Sequence, residues 1–384
     1  MSYPRSWDIY CRVVDNYGDV GVCLRLARQL ARRPGAAVRL WVDDLASLRL
    51  LAPEADAGLA TQNVAGIEVH RWTSPLPGVT PADVCIEAFG CGLPEPYVAA
   101  MAQREPRTLW IVLEYLSGEP WVREHHALPS PHPRWPLQRY FFFPGFERGT
   151  GGLLREADLL ERRERYTVDQ QRRYWTEAGF VLPPDDAHVV SVFAYPYAPL
   201  VSLLEHWSHA EASWIAAVPA GALATAAALF FGADRAEAGT RLARGNVEMR
   251  VLPFVPQARF DELLWSCDCN FVRGEDSFVR AQWAQRPFVW HIYPQEEQAH
   301  WRKLEAFLDL YCAGLPASAA DAVRGLWQAW NQVDAAPVTV GAAWDRYWAS
   351  RDVLLKHARA WARQLADVGE LAENLAQFCR DKLK

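Results

Sequence analysis

The sequence predicts an α/β protein made of two doubly wound, Rossmann-like domains in tandem. In its first half, short apolar runs alternate with amphipathic helical patterns, and the same alternation starts again after about residue 185. The final part, from about residue 344, shows helical periodicity and no further strand. Alternating β and α elements imply parallel pairing. Two such series therefore predict two sheets, and an apolar content of 51% supplies both cores.

The first domain is predicted to contain five strands, each buried on one or both faces. They are "WDIYCRVV" (7–14), "AVRLWVD" (37–43), "IEVHRW" (67–72), "DVCIEAF" (83–89) and "RTLWIVLEYL" (107–116). Amphipathic stretches such as 22–32 and 95–103 lie between several of them and predict helices. A Pro-rich patch (127–146) follows, and then one charged helix over 158–179 that ends at a glycine.

The second series begins after a linker, "VLPPDDAHVVSVFAY" (181–195), that runs into a new first strand. Its predicted strands are 189–194, 213–221, 246–254, 269–274 and 286–293. We predict domains over 1–183 and 184–354, with the C-terminal helices, about 355–384, packing back on the first. Two facing Rossmann-like domains with a cleft between them are the layout of GT-B glycosyltransferases. Periplasmic-type binding proteins and other two-domain α/β enzymes share it, so the layout does not give the function.

Composition excludes several classes of function. A net charge of −6 gives no basic surface for nucleic acid. The chain opens without a signal-peptide pattern and has no apolar run of about 20 residues, which predicts a cytoplasmic protein without a membrane segment. Eight scattered cysteines without a CxxC pair indicate reduced core thiols rather than a disulfide or zinc site.

The turn after the first strand has the strand–turn–helix pattern of a phosphate site but carries acidic residues instead of basic ones. In "VVDNYGDVGVCLRLARQL" (13–30), a strand passes through a tight turn into a helix. An open α/β sheet usually binds phosphate at such a turn, on the N–H groups of the helix N-terminus. This turn instead carries two acids, Asp15 and Asp19, and no Lys or Arg.

A better diphosphate site lies in the second domain, in "FVRGEDSFVRAQWA" (271–284). Ser277 or Asp276 is a good N-cap, and Gly274 lets the backbone approach a ligand closely. The amides of 276–279 and the Arg273 side chain together suit a diphosphate. Ordinary N-capping, with the acids balancing the helix dipole, explains Asp276 and Ser277 without any ligand and stays an alternative.

Aromatic residues follow three other strands of the same predicted sheet. In "LPFVPQARFDELLW" (252–265), a ring beside an amide suits a nucleobase, because the ring stacks and the amide reads an edge. Core packing explains the rings equally well. Because the strand ends converge on one edge, we predict a nucleotide-diphosphate ligand there. The residues concerned are Phe254, Gln257 and Phe260, then Phe193, Tyr195 and Tyr197, and finally Tyr293 and Gln295.

Three stretches carry a resemblance to a known family: "DNYGDVGV" (15–22), "LPFVPQARFDELLW" (252–265) and "RGEDSFVRAQWA" (273–284). They resemble EarP, the elongation factor P arginine rhamnosyltransferases, and the resemblance covers essentially the whole chain. It implies an inverting GT-B glycosyltransferase that uses no metal and no cofactor. Such an enzyme would move L-rhamnose from the co-substrate dTDP-β-L-rhamnose to one arginine of elongation factor P, without nucleic acid or membrane.

The resemblance also implies roles for individual residues. The C-terminal domain would hold the donor, with one group of side chains around the thymine and another at the diphosphate and deoxyribose. The thymine group would be Phe193, Phe254, Phe260 and Gln257, and the diphosphate group Tyr195, Arg273, Asp276, Ser277 and Tyr293. Asp15 and Asp19 would be essential acids of the acceptor domain, and Glu275 would point into the cleft. The acceptor's whole folded domain would be recognised.

The chemistry limits what the acids can do. Inverting transfer is one displacement, with charge growing on the departing diphosphate, where Arg273 and the helix N-terminus would act. Deprotonating a free arginine at pH 7 costs on the order of 7 kcal/mol, so a carboxylate cannot ionise it beforehand. We expect the acids to orient the guanidinium and Asp19 to take the proton as the C–N bond forms, with Asp15 and Glu275 holding other N–H groups.

Several alternatives stay open from the residues alone. The general base is either Asp15 or Asp19, and Asp19 as a cap of the following helix is the purely structural interpretation. A GT-B enzyme with another nucleotide sugar or acceptor fits the same pattern. So does a non-catalytic nucleotide-sugar-binding protein, although acids facing an anionic ligand argue against it.

Overall fold

The structure is a computed structural model, and it describes residues 4–15, 17–73, 78–332 and 338–383, with the backbone alone at Glu296. The chain divides into two compact units. The first unit comprises Met1–Glu156 and Gln364–Lys384, and the second comprises Ala157–Arg363. Each unit is built around its own sheet.

The described residues form fourteen strands and fifteen α-helices. The strands are β1 (Ser6–Cys11), β2 (Ala37–Val42), β3 (Thr61–Val64), β4 (Ile67–Arg71), β5 (Val84–Ala88), β6 (Leu109–Leu113), β7 (Pro129–Pro131), β8 (Gln138–Phe142), β9 (Ala187–Val192), β10 (Ser213–Pro219), β11 (Arg241–Arg244), β12 (Val247–Leu252), β13 (Cys269–Arg273) and β14 (Phe288–His291). The helices are α1 (Gly18–Ala31), α2 (Leu45–Leu51), α3 (Glu95–Gln103), α4 (Trp121–His125), α5 (Leu159–Glu164), α6 (Val168–Glu177), α7 (Leu200–Ser208), α8 (Ala222–Ala228), α9 (Phe260–Trp265), α10 (Asp276–Trp283), α11 (Ala299–Cys312), α12 (Ala317–Trp330), α13 (Val340–Ala349), α14 (Arg351–Val368) and α15 (Leu371–Lys382).

The first unit has an eight-stranded sheet in the order β3-β4-β2-β1-β5-β6-β8-β7. Strand β1 pairs in parallel with β2 and β5, so that Ile9 lies between Leu40 and Ile86. The edge strands β3 and β7 are antiparallel to their neighbours. Helices cover a mainly parallel sheet on its faces, which is why five of the six residues of β1 are buried.

The second unit has a six-stranded sheet in the order β11-β12-β10-β9-β13-β14. Only β11 runs antiparallel; the other five strands are parallel. Its core is rich in indole rings: Trp207 stacks on Trp214 at 5.1 Å, and Trp344 meets both edge-on. The carboxyl ends of the five parallel strands lie at one edge of this sheet, where a Rossmann-like fold places its ligand.

All ten strands expected from the apolar runs are present, and four further strands were not predicted. The short antiparallel strands β3, β7 and β11 are mostly exposed and lack a clear apolar pattern. The fourth, β8, lies inside the Pro-rich patch. The helix predicted over 158–179 is two helices, α5 and α6. The break occurs because Thr167 caps α6 in a reciprocal capping box with Gln170.

The division of the chain differs from the predicted boundary at 183/184. Residues 157–183 belong with the second unit, since Tyr166 Oη lies 2.9 Å from Ser266 Oγ and Arg250 donates to the Val181 carbonyl at 2.7 Å. The C-terminal helices are divided as well. The Leu371 amide donates to the Leu153 carbonyl within the first unit, whereas Trp361 Nε1 donates to Gln282 within the second.

Two predictions from composition concern the units as a whole. The eight cysteines, all within the described residues, are buried thiols without a disulfide, as expected. Across the described parts of the chain, no helix is long and apolar enough to cross a membrane.

Candidate functional site

The carboxyl edge of the second sheet brings together all nine residues predicted to bind a nucleotide sugar. The loops after β9, β12 and β14 each carry some of them, and the turn from β13 into α10 carries the rest. They lie after β9 (Phe193, Tyr195), after β12 (Phe254, Gln257, Phe260), at the end of β13 and the start of α10 (Arg273, Asp276, Ser277) and after β14 (Tyr293). The predicted convergence of these strand ends is what the sheet order produces.

Arg273 is the last residue of β13 and lies against two aromatic rings at this edge. Its guanidinium lies over the ring of Phe193 at 4.6 Å and over the ring of Tyr195 at 4.7 Å. The Tyr195 ring stacks on that of Tyr197 at 5.7 Å and meets that of Tyr293 edge-on at the same distance. A cation over two ring faces is held by their quadrupoles. The edge therefore presents a positive charge fixed by aromatic rings, which suits an anionic ligand.

The predicted base-binding residues differ in their exposure. Phe254 and Phe193 are half-buried, whereas Phe260, the first residue of α9, is buried and meets Phe193 edge-on at 5.9 Å. Gln257 is only 2% exposed, and its Nε2 donates to the Asp276 carboxylate at 3.2 Å. Asp276 thus orients the amide that is predicted to read a base.

The turn from β13 into α10 corrects the predicted capping. The N-cap of α10 is Glu275, whose side chain makes no capping hydrogen bond, and Asp276 and Ser277 are the first helical residues. The Ser277 hydroxyl instead donates to the Arg273 carbonyl and accepts from the Arg273 amide at 3.0 Å. Gly274 has a φ of +60°, which favours glycine, and its carbonyl accepts from Trp290 Nε1 at 2.7 Å.

The N-cap residue of α10, Glu275, makes no side-chain hydrogen bond to the amides of the helix. The first turn of a helix presents N–H groups that have no acceptor within the helix. Since Glu275 does not cap α10, this end of the helix and the neighbouring Arg273 keep the chemistry of an anion site. Glu275 itself is half-buried, and its predicted catalytic role stays a prediction.

The first unit carries the acidic turn between β1 and α1. Asp19 lies in the first turn of α1 and is 3% exposed. Its Oδ2 accepts from the amides of Val14 (2.8 Å) and Asp15 (2.9 Å), and its Oδ1 accepts from the hydroxyl of Tyr115 at 3.2 Å. The N-cap of α1 is Tyr17 rather than Asp19. Asp19 therefore holds the loop before the helix and does not cap the helix.

Asp15 is packed tightly into the same turn. Its carbonyl accepts from the Gly18 amide at 2.6 Å, and its Oδ2 lies 2.7 Å from where a Cβ on residue 18 would stand. Any larger residue at Gly18 would displace this carboxylate. Asp15 is half-buried, so the turn presents one deeply held acid and one nearer the surface. The neighbouring Asn16 lies outside the described residues.

Three residues at these edges were not among the predicted site residues. In the first unit, Tyr115 follows β6 and donates to Asp19, and its ring stacks on Phe89, after β5, at 4.3 Å. In the second, His291 ends β14 and its Nδ1 accepts from the Tyr195 amide at 3.2 Å. Their position at the ends of predicted strands was a usable signal, but their partners come from other strands.

Within the described residues, no group of three or more His, Cys, Asp or Glu side chains is arranged to hold a metal ion. The predicted independence from metal ions stays a prediction.

Comparison with known proteins gives concordant matches over nearly the whole chain. Residues 7–380 match the family model described as elongation factor P (EF-P) rhamnosyltransferase EarP. A protein-arginine rhamnosyltransferase of Pseudomonas putida is 47% identical over 98% of this chain and 99% of its own. One of Neisseria meningitidis is 36% identical over 96% of each chain.

Solved structures agree with these matches. One described as the structural basis for EarP-mediated arginine glycosylation of translation elongation factor EF-P superposes with a TM-score of 0.68 at 36% identity, covering 98% of this chain and 99% of that one. The glycosyltransferase of kitacinnamycin, at 15% identity, covers all of both chains with a TM-score of 0.52 and shows the fold alone. Together with the two sheets, these neighbours confirm the predicted α/β fold class, with two Rossmann-like domains of the GT-B type.

Proposed function

The chain belongs to the EarP family of elongation factor P rhamnosyltransferases, and on that basis we propose that it is a protein-arginine rhamnosyltransferase acting on elongation factor P. The donor is dTDP-β-L-rhamnose, and the reaction inverts the anomeric carbon. The bond from that carbon to the diphosphate oxygen breaks, and a bond to a guanidinium nitrogen forms. The diphosphate leaves with the electron pair, and one guanidinium proton passes to a carboxylate.

The observation that carries this proposal is the opposite chemistry of the two carboxyl edges. The second unit offers Arg273 on aromatic rings beside the N-terminus of α10. The first offers two carboxylates, Asp15 and Asp19, in one turn. A nucleotide-sugar donor is an anion with an aromatic base, and an arginine acceptor is a cation. Each edge thus has the chemistry of one of the two substrates.

On the donor side, positive charge must meet the leaving group. As the glycosidic bond breaks, negative charge grows on the diphosphate, and donors already aimed at that position lower the barrier. Arg273 and the first-turn amides of α10 supply such donors. We therefore propose transfer without a metal ion or other cofactor. Phe254 and Phe193 contact the thymine, and Gln257, oriented by Asp276, reads its edge.

On the acceptor side, a protonated guanidinium has no nitrogen lone pair ready to attack the sugar. The carboxylates must therefore orient the group so that a lone pair becomes available as the proton leaves. A free arginine has a pKa above 12, and neighbouring acids favour its charged form. Binding by Asp15 and Asp19 holds the guanidinium while the proton leaves during bond formation. We assign the proton to Asp19. The hydrogen bonds from two amides and the Tyr115 hydroxyl keep its carboxylate in a fixed orientation.

We also propose that the modification activates elongation factor P and takes place in the cytoplasm, where that factor serves translation. The decisive experiment incubates the protein with purified elongation factor P and dTDP-rhamnose and measures the acceptor's intact mass. We expect a gain of one deoxyhexose. Parallel reactions with UDP- and GDP-sugars are the controls. Transfer from one of those donors alone would support a different glycosyltransferase, and binding of dTDP-rhamnose without any transfer would support a binding protein.

A further inference from the structure

A buried histidine lies directly behind the aromatic cluster of the second unit. His291, the last residue of β14, is 1% exposed. Its Nδ1 accepts the backbone N–H of Tyr195 at 3.2 Å, and its ring meets the ring of Tyr195 edge-on at 5.1 Å and that of Tyr197 at 4.9 Å. The single side chain therefore touches both stacked tyrosines.

The hydrogen bond fixes the state of this imidazole. A ring nitrogen that accepts an amide N–H carries no proton, so the neutral ring has its proton on Nε2. Burial, and then the charge of Arg273, lower the pKa of His291 to about 3. At neutral pH the ring is uncharged. A protonated ring would lose the bond to Tyr195 and repel Arg273.

The strand that carries His291 is itself held on both sides of this residue. The Asn331 side chain, just after α12, accepts from the Ile292 amide at 3.0 Å and donates to the Trp290 carbonyl at 2.7 Å. The next residue, Gln332, donates from Nε2 to the Tyr197 carbonyl at 2.6 Å. The end of α12 thus fastens both loops that bring tyrosines to the edge.

We propose that His291 is a positioning residue for the donor diphosphate, acting through the Tyr195 amide on the ring over which Arg273 lies. It places the loop after β9 relative to the loop after β14, so that Tyr195, Tyr293 and Arg273 form one surface. The inference rests on the proposed function for the identity of the ligand. The competing interpretation is that His291 only fills space between aromatic rings.

Two substitutions separate these interpretations. His291→Phe keeps a ring of similar shape and removes the acceptor, whereas His291→Asn removes the ring and keeps an acceptor near the position of Nδ1. If the acceptor matters, the phenylalanine variant binds dTDP about tenfold more weakly, because the buried Tyr195 amide loses its partner. The asparagine variant stays within about threefold of wild type. Pure packing predicts the reverse order, since the larger loss of volume is in the asparagine variant.

The matched control is His188→Phe. His188 belongs to β9 in the same unit, is half-buried, and packs against the rings of Trp214 at 4.9 Å and Trp348 at 4.8 Å. We expect its dTDP affinity to equal that of wild type. Affinity is measured by calorimetric titration with dTDP, and thermal unfolding of each variant is recorded beside it. Steady-state transfer adds a second readout, in which His291→Phe raises KM for the donor and leaves KM for elongation factor P unchanged.

The outcomes distinguish this inference from the function on which it rests. A wild-type protein that binds no dTDP overturns the proposed donor and the inference with it. A wild-type protein that binds dTDP, together with an equally tight His291→Phe variant, overturns the inference alone. Should the phenylalanine variant not fold, His291→Asn and His291→Ala are compared. Tighter binding by the asparagine variant supports the role of the acceptor, and equal binding contradicts it.

Discussion

In each unit a parallel strand leads through a turn into a helix, and the two turns differ in how their backbone amides are used. In the first unit, the amides of Val14 and Asp15, before α1, bind the carboxylate of Asp19. In the second, the turn before α10 has an uncapped helix N-terminus beside Arg273. Backbone amides at such turns are where this fold binds anions. The first unit supplies its own anion at that position, and its turn becomes acidic.

This difference gives a physical reason why a fold that often binds phosphate has an acidic turn in its first unit. The Asp19 carboxylate takes amide donors that a phosphate would otherwise use, and it brings Asp15 close beside it. In the second unit the N-cap side chain makes no such bond, and aromatic rings lie against Arg273. On the proposed function, a turn between a strand and a helix would serve a cationic substrate where a carboxylate of the chain occupies its amides, and an anionic substrate in the other unit.

The largest expected effect comes from removing the charge of Asp19. Asp19→Asn keeps an oxygen for the loop amides and loses the proton acceptor, so we expect transfer to fall by at least about 100-fold. The dTDP dissociation constant stays at the wild-type value. The matched control is Asp44→Asn, because Asp44 also accepts from two amides, those of Ala46 and Ser47, and lies outside the acidic turn. A weakened affinity of Asp19→Asn for dTDP would contradict the assignment of this acid to the acceptor.

The next effect tests the cationic edge. Arg273→Lys keeps the charge but loses the planar group that stacks on Phe193 and Tyr195, and lysine does not replace arginine at such a site. We expect dTDP affinity to drop by about 10- to 100-fold. Arg244→Lys is the control, since Arg244 lies over the ring of Phe230 at 4.6 Å on the exposed strand β11. Equal affinity of the Arg273 and Arg244 variants would remove Arg273 from the donor site.

A smaller effect is expected from the ring of Phe254. Phe254→Ala removes a half-buried ring beside Gln257, and stacking on a base is worth about 1–3 kcal/mol. We expect dTDP to bind roughly tenfold more weakly, with little change in the affinity for inorganic diphosphate. If both affinities are unchanged, the ring belongs to the core and the base lies elsewhere.

A substitution at Gly18 tests whether the position of the Asp15 carboxylate matters for transfer. A Cβ there meets the Asp15 carboxylate at 2.7 Å, so Gly18→Ala displaces the carboxylate while alanine otherwise favours the helix by about 1 kcal/mol. We expect transfer to fall several-fold, with dTDP affinity and thermal stability retained. Gly325→Ala in α12 is the control, since a Cβ there has open space around it. Full activity of Gly18→Ala would show that the position of Asp15 is unimportant.

The last expected effect is on stability rather than on activity, and it concerns one histidine in each unit. Burial lowers the pKa of His126 to about 4, and burial with the Arg273 charge lowers that of His291 to about 3. Below pH 6.5 the unfolded chain therefore binds protons that the native protein does not. The free energy of unfolding decreases as the pH is lowered. Each histidine contributes about 2 kcal/mol of loss between pH 6.5 and 5. Urea unfolding at a series of pH values measures the slope, which His291→Asn should reduce. An unchanged slope in that variant would show that His291 is charged in the native protein.

The strands and the site residues could be predicted from the sequence on different physical grounds. Apolar runs predict buried parallel strands well, because a strand that is buried on both faces carries apolar side chains at nearly every position. The short edge strands β3, β7 and β11 are mostly exposed, and only pairing with a neighbour makes them strands. The predicted binding residues gather at one edge because strand ends converge whatever their loops do.

What the sequence could not supply was the set of partners across strands. Ser277 looked like a helix cap, but its hydroxyl bonds to the backbone of Arg273. Asp19, predicted as the general base, had capping of α1 as its structural alternative, but it binds the preceding loop and Tyr115 instead. His291 looked like part of an apolar strand. In each case the role of the side chain depends on a hydrogen-bond partner that the tertiary structure brings close. The spacing of residues along the chain does not predict that partner.

The central claim is that the acidic edge receives an arginine and the cationic edge holds dTDP-rhamnose. Its most direct test is fragmentation mass spectrometry of elongation factor P after reaction with the wild-type protein and dTDP-rhamnose. We predict one deoxyhexose on an arginine side chain, and no modification when that arginine is replaced by lysine. Deoxyhexose on a serine or threonine hydroxyl would contradict the claim, because a neutral hydroxyl gives the paired carboxylates no cation to bind.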